Sequence, residues 1–145
     1  MIDFDKLKAY HKACKARYKL GAKAPLGTPA KDISLIDCSG YIRCILFDAA
    51  GLRLPDGSQN QLRWARTNLR KLAKYEDVRY AKADPGRVFI AFLSPKPGNE
   101  WPRHVWLCYM GKTMESASGL GGVGSRWWDA FSPQCKECFE VKVDG

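Results

Sequence analysis

The chain has 145 residues, of which 46% are hydrophobic and 27% charged, and its formal net charge is +9. We expect residues 1–145 to form one domain, because this length can bury its own hydrophobic core. No apolar run is long enough to span a membrane, and the charged N-terminus lacks a signal-peptide pattern. The positive charge favours an anionic partner such as nucleic acid, acidic lipid or an anionic cell wall.

Helical patterns dominate the first third of the chain. Apolar residues at steps of three and four predict a helix over residues 3–20, and a stretch rich in Pro and Gly predicts a loop over 22–34. A second helix is predicted to begin at Cys38, with Asp37 as its N-cap. Gly51 is placed to end this helix.

A third helix and a series of strands follow. Ser58 and Gln61 have the spacing of a capping box for a helix over residues 59–75. Strands are predicted at 78–82, 87–93, 104–110, 113–118, about 123–128 and 138–143. A tight turn at Gly111 and Lys112 is predicted to pair two of them as a hairpin. Helices before strands indicate an α+β fold with an antiparallel sheet.

Cysteine usage does not indicate a disulfide scaffold. The six cysteines are Cys14, Cys38, Cys44, Cys108, Cys135 and Cys138. Their density is too low for a disulfide-rich domain. Cys135 and Cys138 form one CxxC pair, but a zinc site needs two more ligands at suitable spacing and the sequence offers no second pair. We therefore expect no metal, and either a local disulfide or two free thiols at this pair.

The stretch "IDCSGY" places Cys38 at the start of an apolar helix. The partial positive charge and free N–H groups of a helix N-terminus favour the thiolate over the thiol. The same N–H groups can hold an oxyanion, and the small residues Ser39 and Gly40 leave room for a substrate carbonyl. Cys38 is therefore either a nucleophile or a buried structural cysteine.

A nucleophilic cysteine needs a base, and the chain has only two histidines. His11 lies among lysines on a predicted helix and is expected to be solvated. His104 opens a predicted strand and is the better candidate. Glu115 on the next strand is the strongest candidate to orient its imidazole, with Ser116 as the alternative.

Two further patterns do not predict a function. "GLGGVG" at 119–124 satisfies G-x-G-x-x-G but does not open a helix after the first strand of a βαβ unit, so a flexible hairpin connection is the better interpretation. Five tryptophans among many basic residues would suit base stacking. No recognised nucleic-acid-binding motif accompanies them, and no nucleic-acid partner is expected.

The order of these features resembles that of the NlpC-type cell-wall cysteine peptidases, a papain-like group. The resemblance is carried by "YKLGAKAP", "DCSGYIRCILFDAAGLRLP", "SQNQ", "PGRVFIAF" and "HVWLCYMGKTMES", over roughly residues 18–118. It implies a papain-like NlpC fold, with N-terminal helices packed on a central antiparallel sheet, and a single cysteine peptidase domain.

The resemblance also assigns roles to residues. It implies Cys38 as nucleophile, His104 as base and Glu115 as the third catalytic residue, where the family more often has His, Asn or Gln. It also implies three substrate-binding residues. Tyr18 matches a family tyrosine near the nucleophile, and Asp37 and Ser39 match positions that bind a free amine in some members. Trp106 stands where the family usually has Gly and is expected to narrow or reshape the groove.

The activity that the resemblance implies is hydrolysis of peptidoglycan stem peptides, between D-glutamate and diaminopimelate, through a thioester and without a cofactor. An anionic cell wall is the expected partner. We expect synthesis in the cytoplasm without a signal peptide, and action on the wall after release or as part of a phage particle. A phage lysin, a tail-associated peptidase and a secreted effector fit equally. The alternatives are an amidase or acyltransferase with the same dyad, or a non-catalytic basic module that binds wall polymer or nucleic acid.

Overall fold

The computed structural model describes residues 1–73, 84–130 and 134–143. Its helices are α1 (Phe4–Ala13), α2 (Cys38–Ala50) and α3 (Ser58–Asn68). Its strands are β1 (Arg17–Tyr18), β2 (Leu35–Ile36), β3 (Arg70–Lys71), β4 (Phe89–Leu93), β5 (Val105–Tyr109), β6 (Lys112–Ala117), β7 (Gly122–Gly124) and β8 (Cys135–Glu140). The strand predicted at 78–82 lies outside the described residues.

The eight strands form one sheet in the order β2-β1-β7-β6-β5-β4-β8-β3. Every pair is antiparallel except β1 with β2. Helix α1 packs on α2, and α2 packs on β5 and β6. This arrangement confirms the predicted α+β fold with helices on an antiparallel sheet. None of the described helices is long and apolar enough to cross a bilayer.

Strand β5 is buried on both of its faces. Val105 and Leu107 belong to the main core between sheet and helices. Trp106 and Cys108 belong to a second apolar cluster on the other face of the sheet. Because β5 is central, its position fixes the place of His104, the residue directly before it.

The first helix is shorter than predicted. It ends at Ala13, where the Cys14 N–H closes the last turn on the Tyr10 carbonyl. The chain then continues as β1, whose Arg17 N–H donates to the Ser34 carbonyl at 2.8 Å. The sequence pattern predicts helix over 3–20, but the residues after Ala13 are not helical. Their backbone N–H and C=O groups are satisfied by strand pairing instead of by helical hydrogen bonds.

The third helix also differs from its prediction. It spans Ser58–Asn68 and not 59–75, because Arg70 and Lys71 pair with β8. Its N-cap is Gly57, and no side chain caps it. The predicted capping box is therefore wrong, since the hydroxyl of Ser58 donates to the Pro102 carbonyl instead.

The hairpin between β5 and β6 turns one residue earlier than predicted. Tyr109 pairs with Lys112, so the turn residues are Met110 and Gly111. Both have positive φ, 54° and 78° respectively. The sequence pattern gave the right strands but placed the turn at Gly111 and Lys112, because glycine is the stronger turn signal than methionine.

The glycine cluster of 119–124 connects the antiparallel strands β6 and β7, as the predicted hairpin connection requires, and it also supplies β7 itself. It forms the end of a 3₁₀ turn (Ser118–Leu120) and strand β7. Gly122 lies so close to β1 that a Cβ atom there would stand 2.2 Å from the Ala16 carbonyl oxygen. Glycine is therefore needed for the close approach of β7 to β1, the strand that contains Tyr18.

Candidate active site

Helix α2 begins at Cys38, as the sequence predicts. Asp37 is the N-cap, and its Oδ1 accepts the Gly40 N–H at 2.7 Å. Gly51 ends the helix in the left-handed conformation. The Cys38 side chain is partly exposed at the positive end of the helix dipole.

Gly40 allows another segment to pack against the first turn of α2. The Asp37 N–H donates to the Ala22 carbonyl at 3.0 Å. A Cβ atom on Gly40 would lie 2.9 Å from Asp37 Oδ1 and 3.2 Å from the Ala22 oxygen. The Gly in "DCSG" therefore serves this close approach, in addition to any room it leaves for substrate.

Gln61 supports the same turn from α3. Its side-chain amide donates to the carbonyls of Ser39 at 2.9 Å and Pro55 at 3.0 Å, and the residue is fully buried. The sequence analysis assigned Gln61 to a capping box and missed this function. A glutamine on the inward face of α3 could have been taken as a polar support for a neighbouring element.

His104 lies between Cys38 and Glu115. Its Nε2 is 2.7 Å from Glu115 Oε1, so Nδ1 is the ring nitrogen left for the Cys38 thiol. Burial lowers the pKa of His104, but hydrogen bonds to Cys38 and Glu115 outweigh that effect and raise it to about 9. The structure thus brings together the three residues predicted as catalytic, with the imidazole as imidazolium at neutral pH.

Glu115 is fully buried and ionised. It accepts hydrogen bonds from His104, from the Thr113 hydroxyl and from Arg126, whose Nη2 lies 2.7 Å from Oε1. Burial raises the pKa of Glu115, but these donors lower it to about 2. The carboxylate is therefore charged at any physiological pH and stabilises the imidazolium beside it.

Arg126 is a member of this site that the sequence analysis missed. Its Nε also approaches Glu115 Oε2, at 3.3 Å. Its backbone is fixed on β6, since its N–H donates to Thr113 Oγ1 and its carbonyl accepts the Thr113 N–H, both at 2.8 Å. A buried carboxylate needs a cation as its partner. The Arg that follows β7 could have been predicted as that partner, because β7 pairs with β6, the strand that carries Glu115.

Trp106, which is expected to narrow or reshape the groove, does not line it but packs beneath His104, which does. It is fully buried and stacks on the His104 ring, with centroids 5.7 Å apart and planes at 19°. Since residues two apart on a strand share a face, His104 and Trp106 stack in register. The indole therefore supports the imidazole from below.

His11 is not solvated, so that prediction was wrong. Its ring nitrogens lie 2.7 Å from the Tyr41 hydroxyl and 2.8 Å from the Ser125 hydroxyl. Burial lowers its pKa to about 4, so it is neutral at neutral pH. It joins α1 to α2 and to the segment after β7, and it is separate from Cys38.

Ser116 does not orient His104. Its hydroxyl donates to the Ile36 carbonyl at 2.9 Å, in a buried position. This bond ties β6 to the residue that precedes Asp37. Ser116 therefore holds the strand carrying Glu115 against the segment carrying Cys38.

Tyr18 lines a groove of about 320 Å³ together with Arg103, His104 and Arg126. Burial raises the pKa of Tyr18, and electrostatic interaction with Cys38 and Asp37 raises it further. Tyr18 is therefore close to the candidate nucleophile, and its hydroxyl is a proton donor across the pH range in which the site would work.

Asp37 and Ser39 flank Cys38 and already have a partner. The ammonium of Lys23 lies 2.7 Å from Asp37 Oδ2 and 2.7 Å from Ser39 Oγ. The sequence analysis missed Lys23 because it falls in the predicted loop. No other element supplies a cation to these two residues among the ion pairs of the described chain.

The described cysteines are all free thiols, including Cys135 and Cys138. In the parts of the chain that the structure covers, no group of three or more His, Cys, Asp or Glu side chains could hold a metal ion.

No protein-family model matches the sequence, and no curated protein matches it. Solved structures do match. NlpC1 from Trichomonas vaginalis aligns at 13% identity with a TM-score of 0.65, over 96% of this chain and 44% of that chain. The NlpC/p60 domain of the peptidoglycan hydrolase SagA aligns at 18% identity and a TM-score of 0.61, over 98% of this chain and 100% of that domain.

A protein of the NLP/P60 family from Staphylococcus aureus, described as similar to lipoprotein, aligns at 20% identity with a TM-score of 0.63, over 97% of this chain and 42% of that one. This chain thus spans less than half of the Trichomonas and Staphylococcus structures. The similarity establishes an NlpC/p60-type fold, which confirms the fold that the sequence predicts.

Proposed function

We propose that this chain is a peptidoglycan hydrolase, a cysteine endopeptidase that cleaves stem peptides. The observation that carries the proposal is the arrangement of Cys38, His104 and Glu115. Cys38 lies at a helix N-terminus, and the imidazolium of His104 lies between the Cys38 sulfur and a buried carboxylate. The fold match to a domain of a peptidoglycan hydrolase supports the substrate class.

In the first half of the reaction the Cys38 thiolate attacks the carbonyl carbon of the scissile amide. The Cys38 N–H donates to the oxyanion of the tetrahedral intermediate, and the Tyr18 hydroxyl, which interacts with Cys38, is the second donor in this proposal. His104 gives its Nδ1 proton to the leaving amine, and a thioester on Cys38 remains.

In the second half a water molecule attacks the thioester carbon. His104 takes a proton from that water through Nδ1, and collapse of the second intermediate releases the carboxylic acid and the Cys38 thiolate. Glu115 keeps the ring in orientation through Nε2 during both halves. Trp106 prevents the ring from tilting, because it stacks on the imidazole.

The bond we expect is that between D-glutamate and diaminopimelate. The net charge of +9 would concentrate the protein on an anionic wall. Delivery by a phage particle or as a secreted effector stays a prediction of the sequence.

Mass spectrometry of purified peptidoglycan, digested by the wild type and by Cys38→Ala, tests the proposal. A new amine on diaminopimelate, formed by the wild type alone, supports the endopeptidase. Freed lactyl ends would indicate an amidase instead. Products that the folded Cys38→Ala variant also forms, or no products from either protein, would contradict a cysteine hydrolase.

A further inference from the structure

The Lys23 ammonium binds the side chains of the two residues that flank the candidate nucleophile, Cys38. Its ammonium is 2.9 Å from Asp37 Oδ1, 2.7 Å from Asp37 Oδ2 and 2.7 Å from Ser39 Oγ. Asp37 and Ser39 are the two chain neighbours of Cys38. A cation of the protein itself therefore occupies the place beside Cys38 where a carboxylate and a hydroxyl converge.

These acceptors have little capacity left for a ligand. The Asp37 side chain is 7% exposed, and its Oδ1 also accepts the Gly40 N–H at 2.7 Å. The Lys23 side chain is 33% exposed, so Lys23 is the more accessible partner of this ion pair. A substrate ammonium would have to displace Lys23, and a displaced Lys23 would then repel it at short range.

The groove beside His104, whose lining does not include Lys23, Asp37 or Ser39, is positively charged as well. Arg103 and Arg126 line it, and no acidic side chain does so among the described residues. Glu115 lies behind His104, fully buried and bonded to His104, Thr113 and Arg126. A free amine on the substrate would therefore enter a field of like charge with no open carboxylate to receive it.

We infer that Lys23 is a specificity-determining residue that closes the ammonium position beside Cys38, so that the site accepts stem peptides whose amino end is blocked in an amide. This inference rests on the proposed function and narrows its substrate class. Stem peptides still linked to the glycan through their amino end belong to this class. Peptides already freed from the glycan carry the charged amine that Lys23 disfavours.

A matched pair of substrates tests this inference. The probe is the stem tetrapeptide that begins L-Ala-D-Glu-diaminopimelate, prepared with a free and with an acetylated amino end. Wild-type kcat/KM should be higher for the acetylated peptide, by about fivefold or more, because a like-charge contact is removed. A wild-type preference for the free-amine peptide would overturn the inference and leave the proposed function standing.

The Lys23→Met variant gives the second readout. It keeps the length of the side chain and removes the charge, so Asp37 and Ser39 become available to a substrate amine. The ratio of free-amine to acetylated kcat/KM should rise by about tenfold. Lys31→Met, at an exposed lysine of the same 22–34 stretch, is the matched control and should leave the ratio unchanged.

An unchanged ratio in folded Lys23→Met, or an equal change in Lys31→Met, would overturn the role of Lys23. If Lys23→Met does not fold, the wild-type comparison decides the inference by itself. If the wild type cleaves neither peptide nor purified peptidoglycan, the proposed function fails and the inference fails with it.

Discussion

Glu115 gives the site a full negative charge next to the imidazole. A neutral side chain at this position could orient the ring but would not stabilise the imidazolium to the same degree. Arg126 and Thr113 keep the carboxylate ionised in spite of its burial. The charge of the third residue should therefore be visible in the pH dependence of the reaction.

Glu115→Gln should retain partial activity, about 10- to 100-fold below wild type, because Gln keeps a carbonyl that can accept from Nε2. The carboxylate favours the protonated ring, so its loss should lower the pKa of His104 from about 9. The alkaline limb of kcat/KM should move to lower pH by about one unit or more. Turnover of a stem peptide between pH 6 and 10 measures this shift.

Glu115→Ala should lose more activity than Glu115→Gln and less than Cys38→Ala, because the nucleophile and the oxyanion donors remain. Thr67→Ala, an exposed position on α3, is the control for mutagenesis and handling. Full turnover and an unmoved alkaline limb in Glu115→Ala would remove Glu115 from the site.

At this scale the sequence predicted the residues that carry the proposed chemistry, and it missed those that position them. Cys38 and His104 are marked by local setting: a helix start and a strand start. Lys23 and Arg126 are not, because an ion pair to a buried carboxylate depends on the folded path of the chain. Basic residues are common in this sequence, so their type alone does not single them out.

At the scale of elements, the first turn of α2 is held from two sides. The Ala22 segment packs on it through Gly40, and Gln61 of α3 binds its Ser39 carbonyl. The geometry of Cys38 thus depends on contacts that neither helix propensity nor capping describes.

Gly40→Ala should therefore lower stability, although Ala is favoured over Gly inside a helix by about 1 kcal/mol. The new Cβ would lie 2.9 Å from Asp37 Oδ1 and 3.2 Å from the Ala22 oxygen. We expect the free energy of unfolding to fall by about 1–3 kcal/mol, measured by denaturant titration, with a loss of turnover. Asp48→Ala on the exposed side of α2 is the control; a Gly40→Ala protein as stable as wild type would contradict the close packing.

A substitution in the turn between β5 and β6 should raise stability instead of lowering it. Met110 has φ of 54°, which is unfavourable for a long side chain, and it is 45% exposed. Asn tolerates this conformation, so Met110→Asn should raise the free energy of unfolding by about 0.5 kcal/mol. Leu20→Asn, at an exposed residue without positive φ, should have no such effect. A lower denaturant midpoint for Met110→Asn would show that its side-chain contacts outweigh the backbone strain.

Element boundaries explain where the sequence patterns failed. The strands β4, β5 and β6 were predicted to within about two residues, because each is a compact apolar or alternating run. Helices α1 and α3 ended early, because the residues after them pair with distant strands. The helical period continues into those residues, and only the sheet decides their conformation.

At the scale of the whole molecule, the excess of basic residues is the feature most relevant to an insoluble anionic substrate. Exposed charges are screened within about 8 Å at physiological ionic strength. The rate of hydrolysis of purified cell wall should therefore fall about threefold or more as the salt concentration rises from 50 to 500 mM. Hydrolysis of a small soluble stem peptide should change much less, about twofold at most. Equal salt dependence for both substrates would mean that the net charge does not assist binding to the wall.

The central claim is that Cys38 is the nucleophile, and selective alkylation tests it most directly. Cys135 is the other partly exposed thiol, and a hydrogen bond with Cys138 lowers its pKa, so Cys135→Ser is the background to use. Iodoacetamide at pH 7 should place one carbamidomethyl group on Cys38, seen by peptide mass mapping, and hydrolysis of a stem peptide should fall in proportion to that label. Replacement of His104 by Ala should slow the labelling. Hydrolysis that persists after Cys38 is fully alkylated would contradict the account.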